Sequence, residues 1–335
     1  MNNVKAAIET VADGKLKKIT LKNDFLEVIL LDYGARLHQI FAPDRQGKKE
    51  NVLLSYDEFS DVLNDQSFFG ATIGPVAGRI RHAQWKEHTL EKNCGEHHIH
   101  GGSKGWAHRY WKVKIIEEAD AVSALFSLTD DISGYPGPIY AETRFRLCGN
   151  QLEMTISTRS SQQTIVNPTN HAYFNLSGDG KRDLYTHELA VDLEGILSLD
   201  KELLPTGEIL PEKDLPLPFK KNTGFSEIFS AYPHGLDDVF VLAEPKLTHP
   251  SLHLQEKESG RKLAVATTNK SMVLFSTTGF EDTFKINGKA MHSNYGIAIE
   301  PQEFPDLVNF PQWGSSELAP GQVKTCRTIY TFTAS

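Results

Sequence analysis

The sequence predicts an all-β protein, a large antiparallel β-sandwich with few short helices. Three observations carry that prediction. Short segments rich in β-branched and aromatic residues recur along the whole chain with alternating polarity, each closed by Gly, Pro, Asn or Asp. Helical periodicity is scarce, and strands do not alternate with helices in the rhythm that builds a parallel sheet. No Gly/Ser-rich linker divides the 335 residues, so the strands are expected to share one domain spanning 1–335.

Taken in order, strand signatures fall at 17–21, 26–31 and 36–41, then at 111–116, 123–128, 142–147 and 152–158. Four more follow at 188–192, 263–267, 272–276 and 328–332. Segments 143–147 and 152–156 flank Gly149-Asn150, two residues that tolerate positive φ, and are expected to form a β-hairpin. The best short helix is 56–64 (YDEFSDVLN), with Ser55 placed to cap it. The Pro-rich stretch 204–219 reads as a long surface loop.

Composition narrows the function. The chain is long enough to bury most of the surface that its unfolded form exposes, so neither a disulfide nor a metal is needed as a staple. Its net charge of −8 argues against a surface that holds nucleic acid or an acidic membrane. Cys94, Cys148 and Cys326 are too scattered for a disulfide framework and form no Cys-x-x-Cys pair, which fits a reducing, cytoplasmic setting. Residues 1–23 lack the apolar core of a signal peptide, and no apolar run reaches the ~18 residues that span a bilayer.

Four islands concentrate polar, ionisable and aromatic residues beyond what a strand core needs. The first, Gly74-Pro75-Val76-Ala77-Gly78-Arg79-Ile80-Arg81, lets the backbone pass close to a ligand and offers the planar donor fork of Arg79. The second, Glu96-His97-His98-Ile99-His100-Gly101-Gly102, places His100 at a loop edge beside two glycines. His98 and His100 would share a face if extended, the geometry of a metal pair, but no third ligand is identified. The third, Asn167 to Leu176, surrounds His171 with amides, so that one ring nitrogen is oriented and the other is free for proton transfer. In the fourth, Gly296 to Asp306, an apolar strand delivers a carboxylate at its end, Glu300, whose proton affinity its neighbours will move. A smaller group, His234 to Phe240, adds the acid pair Asp237-Asp238 in a turn.

In this order the islands resemble the aldose 1-epimerase family, the galactose mutarotases. The matching residues are His-Gly-Gly at 100–102, Asn-x-Thr-Asn-His-x-Tyr-Phe-Asn-Leu at 167–176, Gly-Leu-Asp-Asp at 235–238, and Glu-x-Gln-x-Phe-Pro-Asp from Glu300, followed by Asn309. The resemblance covers most of the chain and implies the family's large sandwich with a sugar in an open cleft. It implies Glu300 as general base, His171 as general acid, and Arg79, His100 and Asp237 as sugar-binding residues. It also implies a small-molecule sugar substrate, a monomer or homodimer, and chemistry without metal or other cofactor.

The chain departs from the family where many members read Gly-Arg-x-Ala-Asn-Arg-Ile: Pro75 and Gly78 stand for an arginine and an asparagine. Leu274 aligns with a position that is often glutamine. Three other readings are open to the same residues. An epimerase of a phosphorylated hexose would gather Arg79, Arg81 and Lys104 on the cleft. A glycosidase or lyase would oppose Glu300 and Asp237. A non-catalytic carbohydrate-binding module would use a platform drawn from Trp85, Trp106, Trp111 and Trp313.

Overall fold

A computed structural model describes residues 4–335, so the first three residues of segment 1–23 lie outside it. Three antiparallel sheets dominate. The first is a five-stranded meander of Lys5–Val11, Leu16–Lys22, Glu27–Leu31, Arg36–Pro43 and Lys49–Asn51, in sequence order. A nine-stranded sheet begins Lys112–Glu117, Ala121–Asp130, Ile139–Cys148 and Gln151–Ser160, and the last strand of the chain, Val323–Ala334, then joins it at its centre. The third has six strands in the order Tyr173–Phe174, Ile297–Gln302, Ser271–Ser276, Asp237–Leu242, Leu193–Leu199 and Pro205–Pro211.

Strand alternation explains why these sheets face one another. Phe126, Phe145, Ile156 and Val265 of the nine-stranded sheet, Val28 and Ile40 of the meander, and Phe240, Leu274 and Ile299 of the six-stranded sheet are buried in one hydrophobic cluster. Because successive side chains point to opposite faces, burial of Ile299 and Leu274 turns their neighbours Glu300 and Val273 to the other side of the six-stranded sheet. That outer side carries the cleft described below.

All eleven strand signatures coincide with strands, and the 149–150 hairpin closes on the pair Cys148 and Gln151 with Gly149 at φ +54. Other expectations are corrected. Segment 56–64 forms only a 3-10 turn at Phe59–Asn64, and Ser55 does not cap it. Ser55 instead pairs through its backbone N–H and hydroxyl with the Asn287 side chain, while Tyr56 donates to Asp65. Among the described residues the one α-helix is Phe225–Ala231, too short for a periodic signal.

The Pro-rich stretch is half strand: Pro205–Pro211 forms the edge of the six-stranded sheet, where a proline leaves no ladder bond unmade. Asp237 and Asp238 begin a strand, Asp237–Leu242, rather than occupying a turn. Trp85, Trp106 and Trp111 are buried and pack, and Trp313 stacks on Phe310 at 4.6 Å between ring centres.

Candidate active site

A cleft of about 280 Å³ opens on the outer face of the six-stranded sheet. This is near the small end of ligand pockets, roughly 300–1,000 Å³, and suits one sugar ring better than a chain. Glu300 forms part of its floor. The carboxylate sits within strand Ile297–Gln302 rather than at its end, opposite Val273 on the neighbouring strand. Only 2% of the residue is exposed, and Oε2 has no hydrogen-bond partner.

His171 faces it, with Nε2 3.2 Å from Glu300 Oε1. Two backbone bonds fix the histidine: its N–H donates to the Ala71 carbonyl and its own carbonyl accepts from Gly70. Asn170 Nδ2 donates to the Gly70 carbonyl at 2.7 Å and pins the same loop. The ring is held by aromatic neighbours, Tyr173 at 5.0 Å, His100 at 5.6 Å and Phe68 at 6.0 Å between centres. The sequence reading expected one ring nitrogen to be anchored and the other to be free. Nε2 meets Glu300, while Nδ1 is buried without a partner, so packing rather than an amide orients the ring.

Arg79, His100 and Asp237 line the same cleft, so folding brings all five expected residues together. Arg79 and His98 enter on a two-residue ladder, with Ile80 opposite His98 and Arg79 opposite Ile99. His100 then takes φ +53, which turns its ring into the cleft, and its Nδ1 accepts the Gly78 N–H at 3.3 Å. That turn separates the two histidines expected to share a face. His98 Nδ1 pairs with the Glu91 carbonyl at 2.7 Å, and His97 Nδ1 accepts from the His82 N–H at 3.0 Å. Among the described residues no group of three or more His, Cys, Asp or Glu is arranged to hold a metal ion.

Arg81 is occupied elsewhere, donating to the Pro205 carbonyl and lying 3.4 Å from Asp306 and 3.6 Å from Asp200. Lys104 does not line the cleft. Leu274, aligned with the family's glutamine, points into the core, and its neighbours Val273 and Phe275 face the cleft instead. The residues that this strand turns to the cleft are therefore apolar.

Phe68, Phe275 and Gln302 also line the cleft, and sequence reasoning gave them no role. Gln302 stands two residues beyond Glu300 on the same face, a period-2 signal available in the sequence. Phe68 had no such signal, because its position rests on a non-glycine φ of +59 within a loop. That loop is tied down by Asp65, which accepts from Arg36, Tyr56 and the Ser67 N–H.

Electrostatics follow from burial. Loss of water raises Glu300 well above its ordinary value, and the nearby Asp237 charge pushes the same way. Burial lowers His171 to about 4. Both shifts favour the neutral pair, which holds one proton between the two groups; when that proton passes to His171 across the 3.2 Å contact it leaves a carboxylate that is a stronger base and an imidazolium that is a stronger acid. Asp237 is itself raised by burial, with Arg79 pulling it back. His100 is held well below its ordinary value by burial and by the charges of His171 and Arg79, which keeps it neutral.

A sandwich with an open cleft and a buried carboxylate facing an imidazole is the architecture of an enzyme that moves protons on a small polar molecule. The family model for aldose 1-epimerase matches residues 17–331, and the chain belongs to that family, isomerases that act on carbohydrates. It is 31% identical over 328 residues to the galactose mutarotase of Rattus norvegicus, covering 96% of this chain and 95% of that one. It is 32% identical over 329 residues to the aldose 1-epimerase of Streptococcus thermophilus, covering 94% and 93%. The solved galactose 1-epimerase from Lactobacillus acidophilus NCFM superposes over the full length of both chains with a TM-score of 0.86 at 26% identity.

Proposed function

We propose that the protein interconverts the α and β anomers of a free aldohexose such as galactose or glucose, with Glu300 as general base and His171 as general acid. The observation that carries this reading is the buried pair itself, 3.2 Å apart on the floor of an open cleft. Glu300 takes the proton of the C1 hydroxyl while His171 gives one to the ring oxygen, and the C1–O5 bond opens to the aldehyde. Rotation about C1–C2 presents the other carbonyl face. The C5 hydroxyl then attacks C1, returning its proton to His171 as the new C1 oxygen recovers one from Glu300. No proton or electron is left over.

Arg79, His100 and Asp237 hold the sugar hydroxyls in this scheme. The names of the relatives support galactose as a substrate. The reading takes residues 1–335 as one domain, a monomer or homodimer without nucleic acid or membrane partners. Three unpaired cysteines support a cytoplasmic setting.

The rival readings fare less well. Of the three cations a phosphate site would gather, only Arg79 reaches the cleft. The group that Glu300 faces at 3.2 Å is the His171 imidazole, whereas a glycosidase sets a second carboxyl group across the scissile bond. Polarimetry on freshly dissolved α-D-galactose and α-D-glucose, with and without a chelator, tests the proposal. Acceleration over spontaneous mutarotation that survives the chelator is expected. No acceleration of either sugar would refute it.

A further inference from the structure

Gln302 lines the cleft on the same strand face as Glu300, two residues further along. Side chains tie down the backbone on both sides of it. Thr169 Oγ1 and Asn269 Nδ2 donate to the Pro301 carbonyl at 2.8 and 3.0 Å. Ser271 Oγ donates to the Gln302 carbonyl at 2.8 Å. The Asn167 amide accepts the Glu303 N–H and donates to the Glu303 carbonyl, both at 2.9 Å. The Gln302 side chain is treated differently: the residue is 1% exposed, yet Oε1 has no hydrogen-bond partner. A buried amide atom left unpaired costs about 1–3 kcal/mol, and folded proteins retain few of them.

Gly78 leaves room for a ligand at this amide. A Cβ built there would stand 2.8 Å from Pro305 Cβ and 3.9 Å from Gln302 Nε2, so any side chain at 78 would crowd the same corner of the cleft. An amide offers both a donor and an acceptor, and so does a hydroxyl, which can answer it whichever way the amide is turned. Two residues along a strand stand roughly 6.5 Å apart. That exceeds the two hydrogen bonds of ~2.8 Å by which a single hydroxyl could bridge Glu300 and Gln302. The hydroxyl that answers Gln302 is therefore a different one from the C1 hydroxyl at Glu300.

We propose that Gln302 is a further sugar-binding residue of this cleft, its amide taking up one hydroxyl other than the one that reacts. The inference rests on the epimerase reading above. Because that hydroxyl is unchanged by the reaction, its bond is alike in substrate and transition state and is expressed in KM rather than kcat. A residue that merely held the strand and Glu300 in place would act on kcat.

The test measures kcat and KM of the wild-type protein and of Gln302→Leu with D-galactose and its 2-, 3-, 4- and 6-deoxy analogues. With D-galactose the substitution is expected to raise KM about 10-fold at near-wild-type kcat. The wild-type protein is expected to lose a similar factor in kcat/KM on the analogue that lacks the answering hydroxyl, and the variant to lose nothing more on that sugar. Gln302→Met serves where the leucine variant does not fold. A folded variant that keeps the wild-type KM, loses kcat alone, or shows losses that add to those of every deoxy analogue overturns the inference and leaves the epimerase reading standing. Failure of both variants to fold assigns the side chain to the core and overturns it as well. Acceleration of no sugar by the wild-type protein overturns the epimerase reading, and the inference with it.

Discussion

Glu300 and His171 are poorly suited to a structural role, because burial disfavours the charged form of each and a polar atom of each is left without a partner. Glu300→Gln and His171→Asn are each expected to lower kcat/KM at least ~100-fold, the contribution of a positioned acid or base. Circular dichroism should stay native, and near-normal turnover in a folded variant would remove the assignment. Glu300 was legible in the sequence because a carboxylate among Ile297, Ala298 and Ile299 has no packing reason to be there. On strand Ser271–Ser276 only the pairing with Glu300 decides which face meets the cleft, Val273 and Phe275 rather than Leu274, because a one-residue shift along a strand exchanges its faces.

At the scale of elements, close backbone approach holds the site together. Gly101, at φ +81, would place a Cβ only 2.0 Å from the Gly74 carbonyl oxygen. Gly101→Ala is therefore expected to cost more than ~1 kcal/mol in urea unfolding and to raise KM, since His100 and Arg79 flank this contact. Unchanged stability would show that the turn has room to adjust. The His-Gly-Gly motif was visible in the sequence, but its partner strand was not. Strands Leu193–Leu199 and Leu252–Glu256 and helix Phe225–Ala231 also went unread, the helix because seven residues hold less than two full turns of pattern.

Across the whole molecule, fully buried Arg261 ties the nine-stranded sheet to the meander and to the loop after strand Tyr173–Phe174. It donates to the carbonyls of Ala42, Lys48 and Leu176 and to Glu50. Buried histidines set the acid limit. His38 is lowered to about 3 and His187 to about 4, both by burial, and His187 Nε2 accepts the Leu176 N–H at 2.8 Å. Each stays neutral in the fold but takes up a proton near pH 6.5 when unfolded. Their contribution is thus complete above that pH and is lost as pH falls from 6.5 towards 3–4. Between pH 7.5 and 5.5 the two together are expected to remove about 3 kcal/mol from the unfolding free energy. A flat urea midpoint over that range would contradict the neutral assignment.

What the sequence determined by itself was the class of fold and the chemical inventory. Alternating apolar residues and turn-forming Gly, Asn and Asp are local signals that need no partner to be read. The islands around Arg79, His100, His171, Asp237 and Glu300 declared themselves through residue types that a packed core does not require. Only the tertiary structure decided which of these groups meet, which face each strand shows to the cleft, and how far water is excluded from it. Strand order and register are settled by contacts between distant segments: Glu300 finds Val273 across one ladder and His171 across the cleft. The apolar neighbour beside the carboxylate is a product of that pairing, and no single segment carries it.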